Sequence, residues 1–365
     1  MRITDVRAVT CDVPVPRPIV MGDLRYDTRD YAIVEIETDA GICGIGFGMA
    51  RYAPVAEIVE RNLKPLLVGQ DPLLTERLWE RMYYLNLLIA QRGIFMRALS
   101  LVDIALWDIK GKVAGLPIWK LLGGDRDRMP VLVAGGYVAA DKTTAMLTAE
   151  VSDYVRRGFR EVKIAAGQVL EQDTERVAAA RSAGGPGTRL MYDAHWQWRE
   201  PQTVLRVVRD WERFDLAWIE DPFPSEMLDP LERLRDGTRI PLAMGEDLSG
   251  RWAFRAVLER KLVDVVRVDV TNIGGFTEAL KVCALAGAHD LPVSPHVFPE
   301  LHVHLAAGVA NVQHVEITDP PQGIEALHLL LTDRVEIADG LAIAPDRPGL
   351  GCALERDALE RYRRR

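Results

Sequence analysis

The sequence predicts an α/β protein in which a parallel βα barrel follows an amino-terminal α+β domain. Three observations carry this. From Met129 onward, eight short apolar runs ("PVLVAG", "EVKIA", "RLMYD", "LAWIE", "PLAMGE", "VVRVD", "LPVSPH" and "VQHVE") alternate with longer helical stretches, the texture of parallel βα units. Seven of the runs close on an ionisable residue: Lys163, Asp193, Glu220, Glu246, Asp269, His296 and Glu316. By subtraction these lie 30, 27, 26, 23, 27 and 20 residues apart, intervals that each suit one strand, one helix and their loops. In barrels of this kind the carboxyl ends of the strands gather at one mouth, so the seven charges are expected to share it. The third observation is that the first 125 residues have a different texture.

Residues 1–50 alternate apolar and polar positions, broken by Gly and Pro, as in "YAIVEIETDAGICGIGFG". Period two predicts strands, and Asp39-Ala40-Gly41 predicts a hairpin turn between two of them. The stretch "RPIVMGDLRYDTRD" (Arg17 to Asp30) is longer than a tight turn and predicts a mobile lid over the mouth, joined by the loop near Arg51 and Tyr52. Residues 52–122 carry helical periodicity, with Leu101, Ile104, Ala105, Ile109 and Val113 on one face of a segment closed by Gly115 and Pro117. The division expected is a capping domain over 1–125, a barrel over 126–325 and a closing segment over 326–365.

Bulk properties remove several classes of function. With 45 basic and 53 acidic side chains the net charge is −8, and the basic run is confined to the terminal "RYRRR", which disfavours nucleic acid. Cys11, Cys43, Cys283 and Cys352 are scattered without C-x-x-C spacing, so no disulfide framework or zinc ribbon is expected, and a reducing cytoplasm fits. No apolar stretch has the length of a membrane span or a signal peptide.

Asp193, Glu220 and Glu246 close consecutive strands. Three converging carboxylates resist ionising together unless a cation sits among them. An oxygen-only set suits Mg²⁺, a hard octahedral ion that keeps open positions. In "YDAHWQW", Asp193 and His195 stand two apart, which on a strand puts both on one side. They could be two ligands, a ligand and a proton donor, or a self-satisfied core pair.

The stretch "LSLVDIALWDIKGKVAGLPIWKLLGG" (Leu99 to Gly124), the closing "PDRPGLG" (Pro345 to Gly351) and the spacing of the strand-end acids together resemble the enolase superfamily, in its mandelate racemase-like branch. The resemblance covers essentially the whole chain. It implies a capping α+β domain, a modified TIM barrel of seven βα units plus a final strand, and a tail from about residue 325 that packs back on the cap. It also implies Mg²⁺-assisted removal of a proton α to a carboxylate. By the same resemblance Asp193, Glu220 and Glu246 match the metal ligands. Asp269 in "RVDVTNIGG" and His296 in "VSPHVFPE" match a dyad in which the carboxylate orients a basic imidazole, and a protonated Glu316 donates a hydrogen bond to the substrate carboxylate. A small acid substrate and a homo-oligomer are expected.

One departure narrows the chemistry. Many relatives of this kind show Lys-x-Lys on the second strand, where this chain reads Lys163-Ile164-Ala165. A second base is therefore missing. Asp193-Ala194-His195 instead resembles the Asp-x-His of acid-sugar dehydratases such as galactonate and mannonate dehydratases, in which that histidine protonates a departing hydroxyl. The exchange of a base for an acid suits β-elimination of an aldonate to a 2-keto-3-deoxy acid, with Lys163 helping to neutralise the substrate. The alternatives are racemisation or epimerisation of a 2-hydroxy acid, with His195 as the second base, and dehydration of an aldarate. His302 and His304, two apart on a helix, face different ways and are not expected to bind metal. His289, His314 and His328 have no partner pattern, and Trp196 and Trp198 either fill core or line the pocket.

Overall fold

The structure, a computed structural model, describes residues 1–21, 24–139, 142–167, 169–319 and 324–364. The chain opens with a three-stranded antiparallel sheet of β1 (Ile3–Met21), β2 (Leu24–Thr38) and β3 (Cys43–Met49). This sheet lies on the helix Ile94–Ala114, which ends at Gly115 in the left-handed conformation. Gly44, Gly46 and Gly48 recur every second residue on β3 because a Cβ on Gly46 would lie 2.0 Å from the Leu101 carbonyl oxygen, and one on Gly44 2.2 Å from that of Ala105. Strand and helix thus meet backbone to backbone.

The helix is buried almost all round, with Val113 the exposed exception to the predicted apolar face. Its two acids act as ties. Asp108 accepts from the amides of Ile45 and Leu350 (both 2.9 Å) and pairs with Lys112 at 2.6 Å, joining sheet, helix and carboxyl-terminal segment. Asp103 accepts from the Thr277 amide at 3.0 Å and so fixes the cap to the barrel.

The barrel strands are β4 (Arg128–Gly135), β5 (Glu161–Ala165), β6 (Arg189–Asp193), β7 (Leu216–Glu220), β8 (Leu242–Met244), β9 (Val265–Val268), β10 (Val293–Pro295) and β11 (Val315–Thr318). Neighbours from β4 to β10 pair in parallel, β11 pairs with β4, and a bridge between Val293 and Val312 closes the ring. Among the described residues a helix follows each of β4 to β10, whereas β11 leads into a short 3-10 turn (Leu327–Leu329), so seven βα units are followed by a final strand. Inward positions alternate along each strand. Leu132, Ala134, Met191, Trp218, Ala243 and Val265 form an apolar plug. Two residues further along their strands, Asp193, Glu220 and Arg267 form a charged layer above it.

The predicted lid has another form. Arg17 to Asp30 lies within β1 and β2, paired as Ile19–Tyr26, Val20–Arg25 and Met21–Leu24, so it is a projecting hairpin; only its tip, 22–23, falls outside the described residues. A register shift between Pro14 and Ile19 accommodates the prolines of β1. The hairpin holds the following loop, since the Tyr52 hydroxyl donates to Thr28 O (2.5 Å) and the Tyr52 amide to Asp30 (2.6 Å). The tail runs back onto the cap, where the Arg364 amide donates to Thr10 O (2.7 Å) and Arg356 pairs with Glu35 (2.6 Å).

His302 and His304 are both fully buried and structural. His302 Nε2 accepts from the Val270 amide (3.0 Å), so its Nδ1 carries the proton and donates to Val297 O (2.6 Å). His304 accepts from the Trp119 amide (3.3 Å) and donates to Leu350 O (3.0 Å). Burial pushes both from 6.5 down to about 4. The unfolded chain therefore takes up these protons below pH 6.5 and the folded protein only near pH 4. Stability is full above pH 6.5 and is lost as pH falls toward 4, by about 3 kcal/mol per histidine at the limit. His304→Gln should show a shallower fall of melting temperature between pH 7 and 4 than the parent; equal slopes would exclude this source of acid sensitivity.

Candidate active site

All eight residues singled out in the sequence converge at the carboxyl ends of the strands. Lys163, buried on β5, places Nζ 2.8 Å from Glu220, 3.2 Å from Glu316 and 3.3 Å from Asp193. Asp193 and Glu220 are register partners on adjacent strands, and Ala165 stands opposite Asp193. His296 Nδ1 lies 3.0 Å from Asp269 Oδ2, and its Nε2 points toward Glu246 at 3.4 Å. Asp269 Oδ1 accepts from the amide (2.8 Å) and hydroxyl (2.7 Å) of Thr271, which fixes the carboxylate and through it the ring. His195 Nε2 is 3.1 Å from Asp193 Oδ2, and its amide donates to Asp193 Oδ1 at 3.0 Å.

The backbone at these ends is bent in a way that ordinary residues resist. His195, Trp196, Asp221, Val297 and Phe298 have φ of 49°, 55°, 42°, 41° and 46°. For a β-branched residue such as Val297 this is a rare conformation. Such strain clusters at functional sites, and here it turns the chain sharply as it leaves three of the strands.

Three residues of the site escaped the sequence reading. Arg267, wholly buried on β9, reaches Glu316 (2.5 Å), Glu220 (2.9 Å) and the Ser294 hydroxyl (2.5 Å). Its signal was its alternation with Asp269, which puts both on the inward face. Tyr137 follows the first barrel strand, with its ring centroid 6.1 Å from that of His195. Asp221 should point away from Glu220, but its positive φ brings it back: one oxygen from each of Glu220, Asp221 and Glu246 lies within 4.8 Å of the others. Asp193 stands beside this group, both of its oxygens engaged by His195 and one also by Lys163.

The charge balance favours a bound cation. Six buried carboxylates (Asp193, Glu220, Asp221, Glu246, Asp269 and Glu316) surround two buried permanent cations, Lys163 and Arg267. Burial would raise Glu220 and Glu316, but Arg267 and Lys163 hold both below the usual carboxylate range. Glu316, to which the resemblance gives the role of hydrogen-bond donor to the substrate, is contacted here by both cations. Burial and like charges push Asp221 and Glu246 well up, and neither Asp221 oxygen nor Glu246 Oε2 has a hydrogen bond. Orphaned buried carboxylate oxygens of this kind fit a hard divalent cation. Burial pushes His195 down against the pull of Asp193. It would raise Asp269, but the hydrogen bond with His296 holds that acid down.

Residues 4–123 match the mandelate racemase / muconate lactonizing enzyme N-terminal domain, and residues 146–358 match the enolase C-terminal domain-like family. The chain is 34% identical over 379 residues to the D-galactarolactone cycloisomerase of Agrobacterium fabrum, covering 100% of this chain and 99% of that protein. It is 33% identical over 356 residues to the arabinonate dehydratase of Saccharolobus solfataricus, covering 94% of each. A racemase from Streptomyces coelicolor, solved with bound magnesium, superposes with a TM-score of 0.92 at 31% identity, covering 99% of this chain and all of that one. In both its cap and its barrel, therefore, this chain belongs to the enolase superfamily, in its mandelate racemase-like branch.

Proposed function

We propose that the protein is a Mg²⁺-dependent dehydratase of an acid sugar, with residues 1–125 capping a catalytic barrel over 126–325. It removes the proton α to the carboxylate and eliminates the C3 hydroxyl, giving a 2-keto-3-deoxy acid. The observation that carries this reading is the pairing of one oriented basic imidazole, His296, with a second imidazole, His195, where Ala165 offers no other base. The likeness to an arabinonate dehydratase supports it, as does the magnesium in the Streptomyces neighbour.

Asp193, Glu220 and Glu246 are the proposed ligands, with Asp221 beside them. Bound there, Mg²⁺ supplies positive charge where the substrate carboxylate gains negative charge as its α proton leaves. Lys163 and Arg267 add fixed cations in a dry site, where they act at short range without reorganising. His296 takes the proton on Nε2 while Asp269 holds Nδ1–H and stabilises the imidazolium. His195, as an imidazolium beside the Asp193 carboxylate, gives a proton to the departing hydroxyl, which leaves as water, and returns to neutral imidazole.

Racemisation is the second reading, favoured by the name of the Streptomyces neighbour, and it would require His195 to act as a base on the opposite face. Incubation of the Mg²⁺-loaded protein with arabinonate, galactonate, gluconate, galactarate and glucarate, followed by assay of 2-keto acids, separates the two. Dehydration predicts a keto acid from at least one of them. Inversion of the α carbon with no keto acid would overturn the proposal.

A further inference from the structure

Arg97 is a cation without a partner. It lies in the first turn of the helix Ile94–Ala114, and among the described residues no carboxylate is within ion-pair distance of its guanidinium and no acceptor takes a hydrogen bond from it. Arg97 is only partly exposed, and among the described residues the fully buried cations are paired: Lys163 and Arg267 hold the strand-end acids, and Arg29 donates to Ile324 O at 3.0 Å and faces Glu325.

The packing of the cap shows where Arg97 stands. Along β3 the contacts with the helix step toward its amino terminus: Gly44 faces Ala105 and Ile109, Gly46 faces Leu101 and Ala105, and Gly48 faces Leu101. Arg97 is one turn beyond Leu101 on the same face, level with the chain as it leaves β3 at Ala50 and Arg51. A Cβ at Gly48 would also meet Thr271, its nearest neighbour at 2.8 Å and the residue that fixes Asp269. Arg97 is thus at the seam where cap meets barrel, on the Asp269 side of the mouth. The charges that act on it are Arg51 from the cap and Asp269, Glu246 and Asp247 from the barrel. Burial and Arg51 together push its guanidinium down to about 10, the mark of a cation lacking compensation.

A second guanidinium beside an unpaired one is repulsive unless an anion sits between them, and the acids of the barrel do not reach Arg97. The strand-end cations Lys163 and Arg267 are already engaged by the strand-end acids. We propose that Arg97, assisted by Arg51, binds a second carboxylate at the far end of the substrate, so that the preferred substrates are diacids of the aldarate type. Guanidinium and carboxylate match as a planar, two-pronged pair, which gives a diacid an advantage that a terminal hydroxymethyl group cannot reproduce. This inference rests on the acid-sugar reading above and adds the substrate class to it.

The test compares matched pairs, galactarate with galactonate and glucarate with gluconate, on the Mg²⁺-loaded protein. The wild type should favour the diacid of a pair in kcat/KM by about 10²-fold or more, and Arg97→Gln should bring that ratio to about one, through KM. Arg97→Lys, which keeps the charge but loses the fork, should retain part of the preference and shows that a loss is not misfolding. Calorimetric binding of the same four acids in a His296→Asn background gives the selectivity without turnover. Arg97-dependent diacid binding with no keto acid from any substrate would sink the dehydratase reading and leave this inference standing. Equal preference for both members in the wild type, an equal loss on both in Arg97→Gln, or a preference for 6-phosphogluconate over either diacid would overturn it.

Discussion

Asp193→Asn, Glu220→Gln and Glu246→Gln should each lower kcat/KM by about 10³-fold or more, since a divalent cation contributes several kcal/mol to stabilising the charge that develops on the substrate. Calorimetric titration with Mg²⁺ should show the cause as lost affinity. The same titration decides the third ligand. Asp193 is the partner of Glu220 in strand register, whereas Asp221 is the acid that lies with Glu220 and Glu246 in the structure. Asp193→Asn should lose Mg²⁺ binding and Asp221→Asn should keep most of it; the reverse would assign the third position to Asp221. Glu246→Gln carries a further signature. In the metal-free protein this carboxylate is buried against Asp221 and Glu220 with one oxygen unsatisfied, so a neutral amide should raise the melting temperature while abolishing turnover. An inactive variant with a lowered melting temperature would place the loss in the fold instead.

The second large effect separates the two imidazoles. His296→Asn removes the proposed base and should cost about 10² to 10⁴-fold or more in dehydration, and Asp269→Asn should follow it because the ring then loses its orienting carboxylate. His195→Gln removes the proposed acid and should cost a similar factor in dehydration. In the proposed mechanism the two losses differ in kind: proton removal requires the dyad, Lys163, Arg267 and the cation, and His195 enters only when the hydroxyl departs.

Much of this arrangement was legible in the sequence because barrel strands repeat. A strand buried on both faces reads as a short apolar run, and the residue that ends it must meet the mouth, so the period of the charged strand ends revealed both barrel and site. Arg267 escaped because it lies two residues before the end of that run, among valines, where only the inward alternation with Asp269 marks it. Asp221 escaped because its inward turn depends on a positive φ that no residue type at that position advertises. The hairpin through Arg17 to Asp30 was read as a lid loop because the segment is longer than a tight turn, whereas in the structure the paired ends of β1 and β2 span it. The pairing of Glu316 with Arg267 and Lys163, which meet it from two other strands, is a long-range contact that spacing cannot show.

Proton NMR in D₂O on whichever acid sugar the wild type dehydrates tests the proposed division of labour most directly, by following the α hydrogen of the remaining substrate alongside the product. The wild type should form keto acid. His195→Gln should wash deuterium into the α position of the substrate while forming little product, because His296 still removes and returns the proton. His296→Asn should do neither. Dehydration by His195→Gln at nearly the wild-type rate, or α exchange that survives in His296→Asn, would contradict the account.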